Sequence, residues 1–259
     1  MKEAPYSDLV VTLFERGEAR KAEDAVIAEF PLEVIINGQS LVNLLCTPTD
    51  MEDLVVGFLY SEGIIGDLRD ITELKITGNR AEARIKGELK DNSSGVAWLT
   101  SGCGHYITWR GRQEDCIYEV KVDSPLKVSA AALTQLVMGL EIKGTLYHKT
   151  RGAHGAALAS PNKGILILRE DIGRHNAVDK VVGCALRQGI ETSDKLLLTT
   201  GRISSEILYK VARMRFPFVV SLSVPSDYAV WLADLLRITI VGFVRGKRFK
   251  VYSHAWRVL

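Results

Sequence analysis

The sequence predicts an α/β fold overall: a largely parallel sheet with helices on both faces, preceded by a smaller α+β part. Three observations carry this. From Gly164 onward, short continuous apolar runs alternate with amphipathic helical stretches, the pattern of parallel strands buried on both faces. Before residue 90 the punctuation is that of hairpins, led by Asn37-Gly38 between two apolar runs. Polar and charged residues then concentrate at the strand-to-helix junctions of the second half, where such sheets bind ligands.

Residues 1–24 are polar and read as a loose arm or an edge element. Ala25 to Ile36 reads as a strand, Asn37-Gly38 as its turn and Ser40 to Cys46 as the return. Thr49-Asp50-Met51-Glu52 matches a capping box, which opens a helix with Leu54, Val55, Phe58 and Leu59 on one face and ends it near Gly63. Ile71 to Ile76 and Ala81 to Ile85 form a second hairpin across Gly78-Asn79. Lys90 to Arg112 has no periodicity, and a long loop in a compact domain is usually functional or disordered. Asp115 to Val122 resumes as a strand, and Pro125 marks a boundary between an N-terminal domain, 1–125, and a C-terminal one, 126–259.

Ser129 caps a helix with Ala132, Leu133, Leu136, Val137 and Leu140 inward. A Gly-rich segment, Thr150 to Ala159, leads to a strand at 164–169 and a helix at about 174–188. Strand Lys195 to Thr200 precedes a helix through Ile207, Val211 and Met214. Strand Phe216 to Leu222 precedes a helix from Ser226 to Leu236. Ile238 to Phe243 is a last buried strand, and Arg248 to Ser253 pairs near the end.

At 259 residues the chain buries a full core without metal or disulfide staples. A formal net charge of +2 gives no argument for nucleic acid or a membrane surface, and no apolar run has the length of a membrane span. Met1 to Arg20 lacks the apolar centre of a signal peptide, so a cytoplasmic protein is expected. The four cysteines (Cys46, Cys103, Cys116, Cys184) form no C-x-x-C pair, which argues against a disulfide framework and against a zinc site. There is no Walker A loop, G-x-G-x-x-G fingerprint, G-x-S-x-G elbow or zinc-deaminase signature.

Four junctions are expected at one sheet edge: Asp171 to Asn176, Thr199 to Ser205, Ser223 to Ser226, and Phe243 to Arg248. They bring helix N-termini, hydroxyls, glycines and several cations, a combination suited to phosphate or pyrophosphate. Arg174, His175, Arg202 and Ser204 are the candidates on the first two. Phe243, Val244, Arg245, Gly246, Lys247 and Arg248 make up the fourth. An ordinary capped turn accounts for each junction alone, with Asp171 as one such cap; four at one edge favour an anion site. His154 stands either at that edge or at the opposite end of its strand. Cys103 is a separate candidate. It lies between two glycines beside His105 and upstream of Arg110 and Arg112, surroundings that favour the reactive thiolate. The other three cysteines sit on strand or helix patterns and read as structural.

EDIGRHNAVDKVVG, TTGRISSEILYK, SVPSDYAVWLA and TIVGFVRGKRFKVYSH resemble successive blocks of the formate dehydrogenase accessory protein family, FdhD/NarQ. PLEVIINGQSLVNLLCTPTDMEDLVVGFLYSEGII resembles its N-terminal block, so the likeness runs from about Pro31 to His254. The resemblance implies a sulfurtransferase. Such a protein takes persulfide sulfur from a cysteine desulfurase and passes it to the molybdenum (or tungsten) bis-molybdopterin guanine dinucleotide cofactor of formate dehydrogenase. It also implies a C-terminal mixed sheet of cytidine-deaminase type without zinc, and a homodimer. By position, Cys103 falls on the first cysteine of the family's loop motif, the persulfide carrier, and Tyr106 replaces the second. Phe243 to Arg248 matches the family's cofactor-binding segment. The alternative reading is a non-catalytic chaperone that holds the same cofactor for insertion; Tyr106 is the feature that keeps it in view.

Overall fold

The computed structural model describes residues 4–87, 98–99, 107–108 and 120–259. The chain opens not as a loose arm but as a two-stranded ribbon, β1 (Tyr6–Glu15) and β2 (Glu18–Ile27). Arg16 and Gly17 both turn at positive φ, which suits the twist of a tight hairpin. A four-stranded sheet follows, in the order β4-β3-β6-β5: β3 (Phe30–Ile36), β4 (Gln39–Cys46), β5 (Ile71–Thr77) and β6 (Arg80–Ile85). Asn37-Gly38 makes the predicted turn. Helix α1 (Met51–Ser61) covers this sheet with Leu54, Val55, Phe58 and Leu59 buried. The capping box does not form: Asp50, at positive φ, takes the N-cap position and makes no side-chain cap bond.

Within the aperiodic stretch from Lys90 to Arg112, β7 (Trp98–Leu99) and β8 (Ile107–Thr108) pair antiparallel. The predicted strand from Asp115 falls largely outside the described residues, and residues 120–122 are not strand.

The second half is a six-stranded mixed sheet in the order β10-β9-β11-β12-β13-β14. Its strands are β9 (His154–Ser160), β10 (Gly164–Asp171), β11 (Leu196–Thr199), β12 (Phe218–Ser221), β13 (Thr239–Arg245) and β14 (Arg248–Val251). β11, β12 and β13 are mutually parallel, and β10 runs the same way. The Gly-rich segment before β10 is itself a strand, β9, inserted antiparallel between β10 and β11. The sheet is therefore mixed, not largely parallel.

Helix α2 (Ala130–Lys143), capped by Ser129 Oγ, packs Leu133, Leu136, Val137 and Leu140 on one face of the sheet. A short helix, α3 (Thr145–Thr150), follows it. Helices α4 (Arg174–Arg187), α5 (Ser205–Arg213) and α6 (Asp227–Leu236) cover the other face. Strand residues alternate between the two cores: Leu197 and Val219 go to one, Leu196, Leu198, Phe218 and Val220 to the other. That is why these strands read as continuous apolar runs. No helix among the described residues is long and apolar enough to cross a membrane.

The two halves meet along α1 and α4, which cross glycine against glycine. A Cβ on Gly57 would lie 1.8 Å from the carbonyl oxygen of Asp179, and one on Gly183 would lie 1.9 Å from that of Asp53. Charged side chains close the joint on both sides of the crossing. Asp53 accepts from Arg169 Nη2 at 2.7 Å and from Arg187 Nη1 at 2.6 Å. Asp179 accepts from Lys210 Nζ at 2.8 Å on both oxygens and from Ser61 Oγ at 2.7 Å. Glu62 lies 3.6 Å from the same Lys210 ammonium. Burial nevertheless pushes the Glu62 carboxyl up to about 7.

Gly57→Ala and Gly183→Ala should each cost about 3 kcal/mol, the top of the usual overpacking range, because the clash is with backbone. Gly139→Ala on α2, whose Cβ would meet only Ile165 Cδ1 at 3.4 Å, should stay within about 1 kcal/mol of wild type. Urea unfolding of the three variants checks this. Because the folded-state pKa of Glu62 lies above its unfolded value, the folded chain holds more protons between about pH 4.5 and 7. Stability should therefore fall as pH rises through that window, by roughly 3 kcal/mol, and Glu62→Gln should flatten the slope in pH-dependent denaturation.

Candidate functional site

The ends of β10, β11, β12 and β13 all open on one edge of the sheet, so the four polar junctions line it as the alternation predicts. They are spread along it: four strand spacings of about 4.8 Å separate the first from the fourth, roughly 19 Å. The antiparallel β9 begins at this same edge, with His154 in register with Asp171. This resolves the position of His154.

The first junction divides into two functions. Asp171 is not an N-cap, since Gly173 holds that place without a side-chain bond. Asp171 is fully buried and sits 2.6 Å from the equally buried Lys180 ammonium. It also accepts from Thr47 N at 3.0 Å, Gly173 N at 2.8 Å and Asn176 Nδ2 at 3.0 Å. Lys180 donates in turn to Thr47 O at 3.0 Å and Glu170 O at 3.3 Å, and Asn176 to Leu45 O at 2.8 Å. Asp171, Asn176 and Lys180 thus fasten the start of α4 to the end of β4. A carboxylate with four donors has nothing left to offer a ligand.

Arg174 and His175, on the first turn of α4, are held at the edge by that joint. His175 Nε2 lies 2.9 Å from Glu206 Oε2, at the start of α5, and both side chains are buried. Burial lowers the His175 pKa, against the pull of Glu206 and with help from Lys210 and Arg174. Gly201 packs on Arg174, since a Cβ there would come within 2.8 Å of Arg174 Cβ. Arg202 is exposed beside it. Ser204 is the N-cap residue of α5 but makes no cap bond, and its buried Oγ has no hydrogen-bond partner among the described residues. Glu206 was not singled out by sequence reading. Its signal was there: an acid on the first turn of a helix whose N-terminus faces the edge.

The third and fourth junctions are tied together. Phe243 N donates to Ser223 O at 2.7 Å and Arg245 Nη1 to Leu222 O at 2.6 Å. Phe243 takes a positive φ at a bulge in the β13–β14 pairing. Its ring lies 5.3 Å from the Arg245 guanidinium and 5.5 Å from the Lys250 ammonium. Val244 is buried, whereas Phe243, Arg245, Gly246, Lys247 and Arg248 are exposed at the end of the edge farthest from His175. Two helix N-termini, an aromatic ring flanked by cations and the arginines of two junctions give the edge what a long, phosphate-bearing ligand needs. Among the described residues no three His, Cys, Asp or Glu side chains group as metal ligands.

Cys103, Tyr106 and Cys116 lie outside the described residues. The two described thiols are buried. Burial, with Asp171 nearby, pushes Cys46 up to about 12. Burial, with Asp53 nearby, also raises Cys184, whose sulfur accepts from Arg169 Nη2 at 3.0 Å and Gln188 Nε2 at 3.2 Å. Both stay protonated and inert near neutrality.

Residues 27–259 match the FdhD/NarQ family model. The chain is 40% identical to the sulfur carrier protein FdhD of Listeria innocua, over 96% of this chain and 97% of the relative. It is 38% identical to the protein of that name from Bacillus subtilis, over 95% of this chain and 94% of the relative. Its fold matches the crystal structure of a candidate formate dehydrogenase accessory protein from Desulfotalea psychrophila. That match has a TM-score of 0.81 at 24% identity and covers 99% of this chain and 100% of the other.

Replacing Lys180 by Met should destabilise the protein by about 3–5 kcal/mol, because Asp171 is left buried and charged without its cation. The double variant Asp171→Asn/Lys180→Met should recover much of that loss. Urea denaturation of the two variants measures both effects.

Proposed function

The chain belongs to the FdhD/NarQ family, and on that premise we propose that it is a sulfur carrier serving formate dehydrogenase maturation. In this reading a cysteine desulfurase delivers sulfur as a persulfide. The Cys103 thiolate attacks the terminal sulfur of the desulfurase's Cys–S–SH group, the S–S bond breaks, and the desulfurase cysteine leaves as thiolate. Cys103 then carries the sulfane atom to the molybdenum (or tungsten) bis-molybdopterin guanine dinucleotide, the substrate held along the sheet edge. A sulfurtransferase of this kind works from a C-terminal unit, 126–259, that carries the edge and an N-terminal unit, 1–125, that carries the cysteine. A homodimer in the cytoplasm is part of the same proposal.

The observation that carries the reading is the edge itself. It sets Arg174 and His175 at one end, Arg202 about midway, and Phe243 to Arg248 about 19 Å from the first pair, the reach of an extended dinucleotide. The state of Cys46 and Cys184 supports it from the other side, because neither buried thiol is suited to carry sulfur. Tyr106, in place of a second loop cysteine, favours the alternative of a chaperone that holds the cofactor without loading sulfur.

Intact-mass and peptide spectrometry after incubation with a cysteine desulfurase and cysteine separates the two. The carrier gains one sulfur, about 32 Da, on Cys103, and loses that gain in Cys103→Ala together with formate dehydrogenase activation. Maturation that survives Cys103→Ala, with no sulfur on Cys103, would establish the chaperone instead.

A further inference from the structure

We propose that His154 is a contact residue of the edge that takes up one proton when a diesterified pyrophosphate binds there, so that the edge grips its cargo more tightly as pH falls. The inference rests on the cofactor-holding part of the function proposed above and adds a residue and a regulation to it.

The geometry is that of an imidazole that can change protonation without moving. His154 begins β9 near the β10 end of the edge, between the ends of β10 and β11. Its Nδ1 lies 3.2 Å from Thr200 Oγ1, and that oxygen also accepts from Gly155 N at 3.1 Å. With one acceptor position taken by Gly155, the hydroxyl can still donate its own proton to a neutral Nδ1. It can equally use its second lone pair to accept from a protonated one. The hydrogen bond reverses and the heavy atoms stay where they are. Nε2 makes no hydrogen bond among the described residues, and the ring is only partly buried, so this nitrogen is the one a ligand oxygen can reach.

Its surroundings supply the bias. Arg174 and His175 face it from α4, Arg202 from the junction after β11, and Asp171 from β10. Three of these four oppose a positive imidazole. Asp171 favours one, but its carboxylate is already bound to Lys180. Burial acts first and in the same direction as the cations, so the empty site keeps His154 neutral at physiological pH. A pyrophosphate reverses the balance: it neutralises Arg174 and Arg202 and offers Nε2 an anionic acceptor. The bound-state pKa then exceeds the free-state one, and binding takes up a proton at any pH between them. By linkage, affinity is highest below the free-state value and declines through the window, by up to tenfold for each pH unit.

The test is isothermal titration of the full chain with GDP-mannose, whose diesterified pyrophosphate does not titrate near neutrality. It is run from pH 5.5 to 8.0 in buffers of different ionisation enthalpy. The expected result is uptake approaching one proton and an affinity that falls as pH rises, with both effects lost in His154→Gln. Uptake that persists in His154→Gln would assign the proton to His175 and overturn the inference. So would binding with no uptake at all, and in either case the cofactor-holding proposal would stand. Absence of binding at every pH would overturn both. Should the variant not fold, proton NMR of the wild-type chain decides. The imidazole resonance with a nuclear Overhauser contact to the Thr200 methyl must titrate at higher pH when GDP-mannose is present, and an unchanged midpoint refutes the proposal.

Discussion

The buried pair of Asp171 and Lys180 is the constraint on which the arrangement of this molecule depends. Its members are nine residues apart in sequence, one at the end of a strand and one two turns into the next helix, and both are fully buried. Isolated charges in such a place would be costly, so the pair persists only because every remaining donor and acceptor is met. Gly173 N, Asn176 Nδ2 and Glu170 O are local partners, but the others come from the far half of the chain: Thr47 N, Thr47 O and the Thr49 hydroxyl. The ionic pair therefore sets two things together, the exit angle of α4 from β10 and the seat of the N-terminal sheet against it. The glycine crossing of α1 and α4 allows that seat to be close enough, since any side chain at Gly57 or Gly183 would hold the helices apart.

From this joint the site follows. With α4 fixed at its first turn, Arg174 and His175 can only stand at the sheet edge, where His175 meets Glu206 from the neighbouring helix. The carboxylates nearest the first two junctions, Asp171 and Glu206, are both engaged by partners of basic type. That leaves the local field positive there, as an anion site requires. The third junction differs, because Asp227 is exposed on the first turn of α6 and Ser226 Oγ is spent on capping it. It serves as the brace that holds the fourth, through the bonds of Ser223 and Leu222 to Phe243 and Arg245.

Much of this was legible in the sequence because it rests on local chemistry. Continuous apolar runs marked strands buried on both faces, and glycine, asparagine and serine marked their ends. The misreadings have physical causes. β9 was passed over because His154–Ser160 is mostly glycine and alanine, residues of low strand propensity. They are there because Ala156, Ala157 and Ala159 are fully buried between two helical layers that leave room for little more. The ribbon β1–β2 escaped because most of its residues are exposed on both faces, so no burial period appears. The structural role of Asp171 and Asn176 was hidden for a different reason. Their deciding partners, Thr47 and Leu45, lie 124 and 131 residues away, and no window of sequence relates them.

The same motif thus holds two sets of residues that look alike in sequence and do opposite work. Asp171 and Lys180 are saturated by the protein, Asn176 spends its amide donors on Leu45 O and Asp171, and together they give the edge its shape. Arg174 and His175, interleaved with them, are turned to the edge by the helical period. The separation on the helix is a consequence of pitch: positions 176 and 180 share the side of α4 that faces Asp171 and the end of β4, while 174 and 175 fall beside Gly201 and Glu206. A substitution in the first set changes where the edge stands, and one in the second changes what it can hold. A dense polar block at a strand–helix junction is therefore weak ground for assigning every member to a ligand. The partners inside the fold have to be counted first, and what they leave unsatisfied is the chemistry the site has to offer.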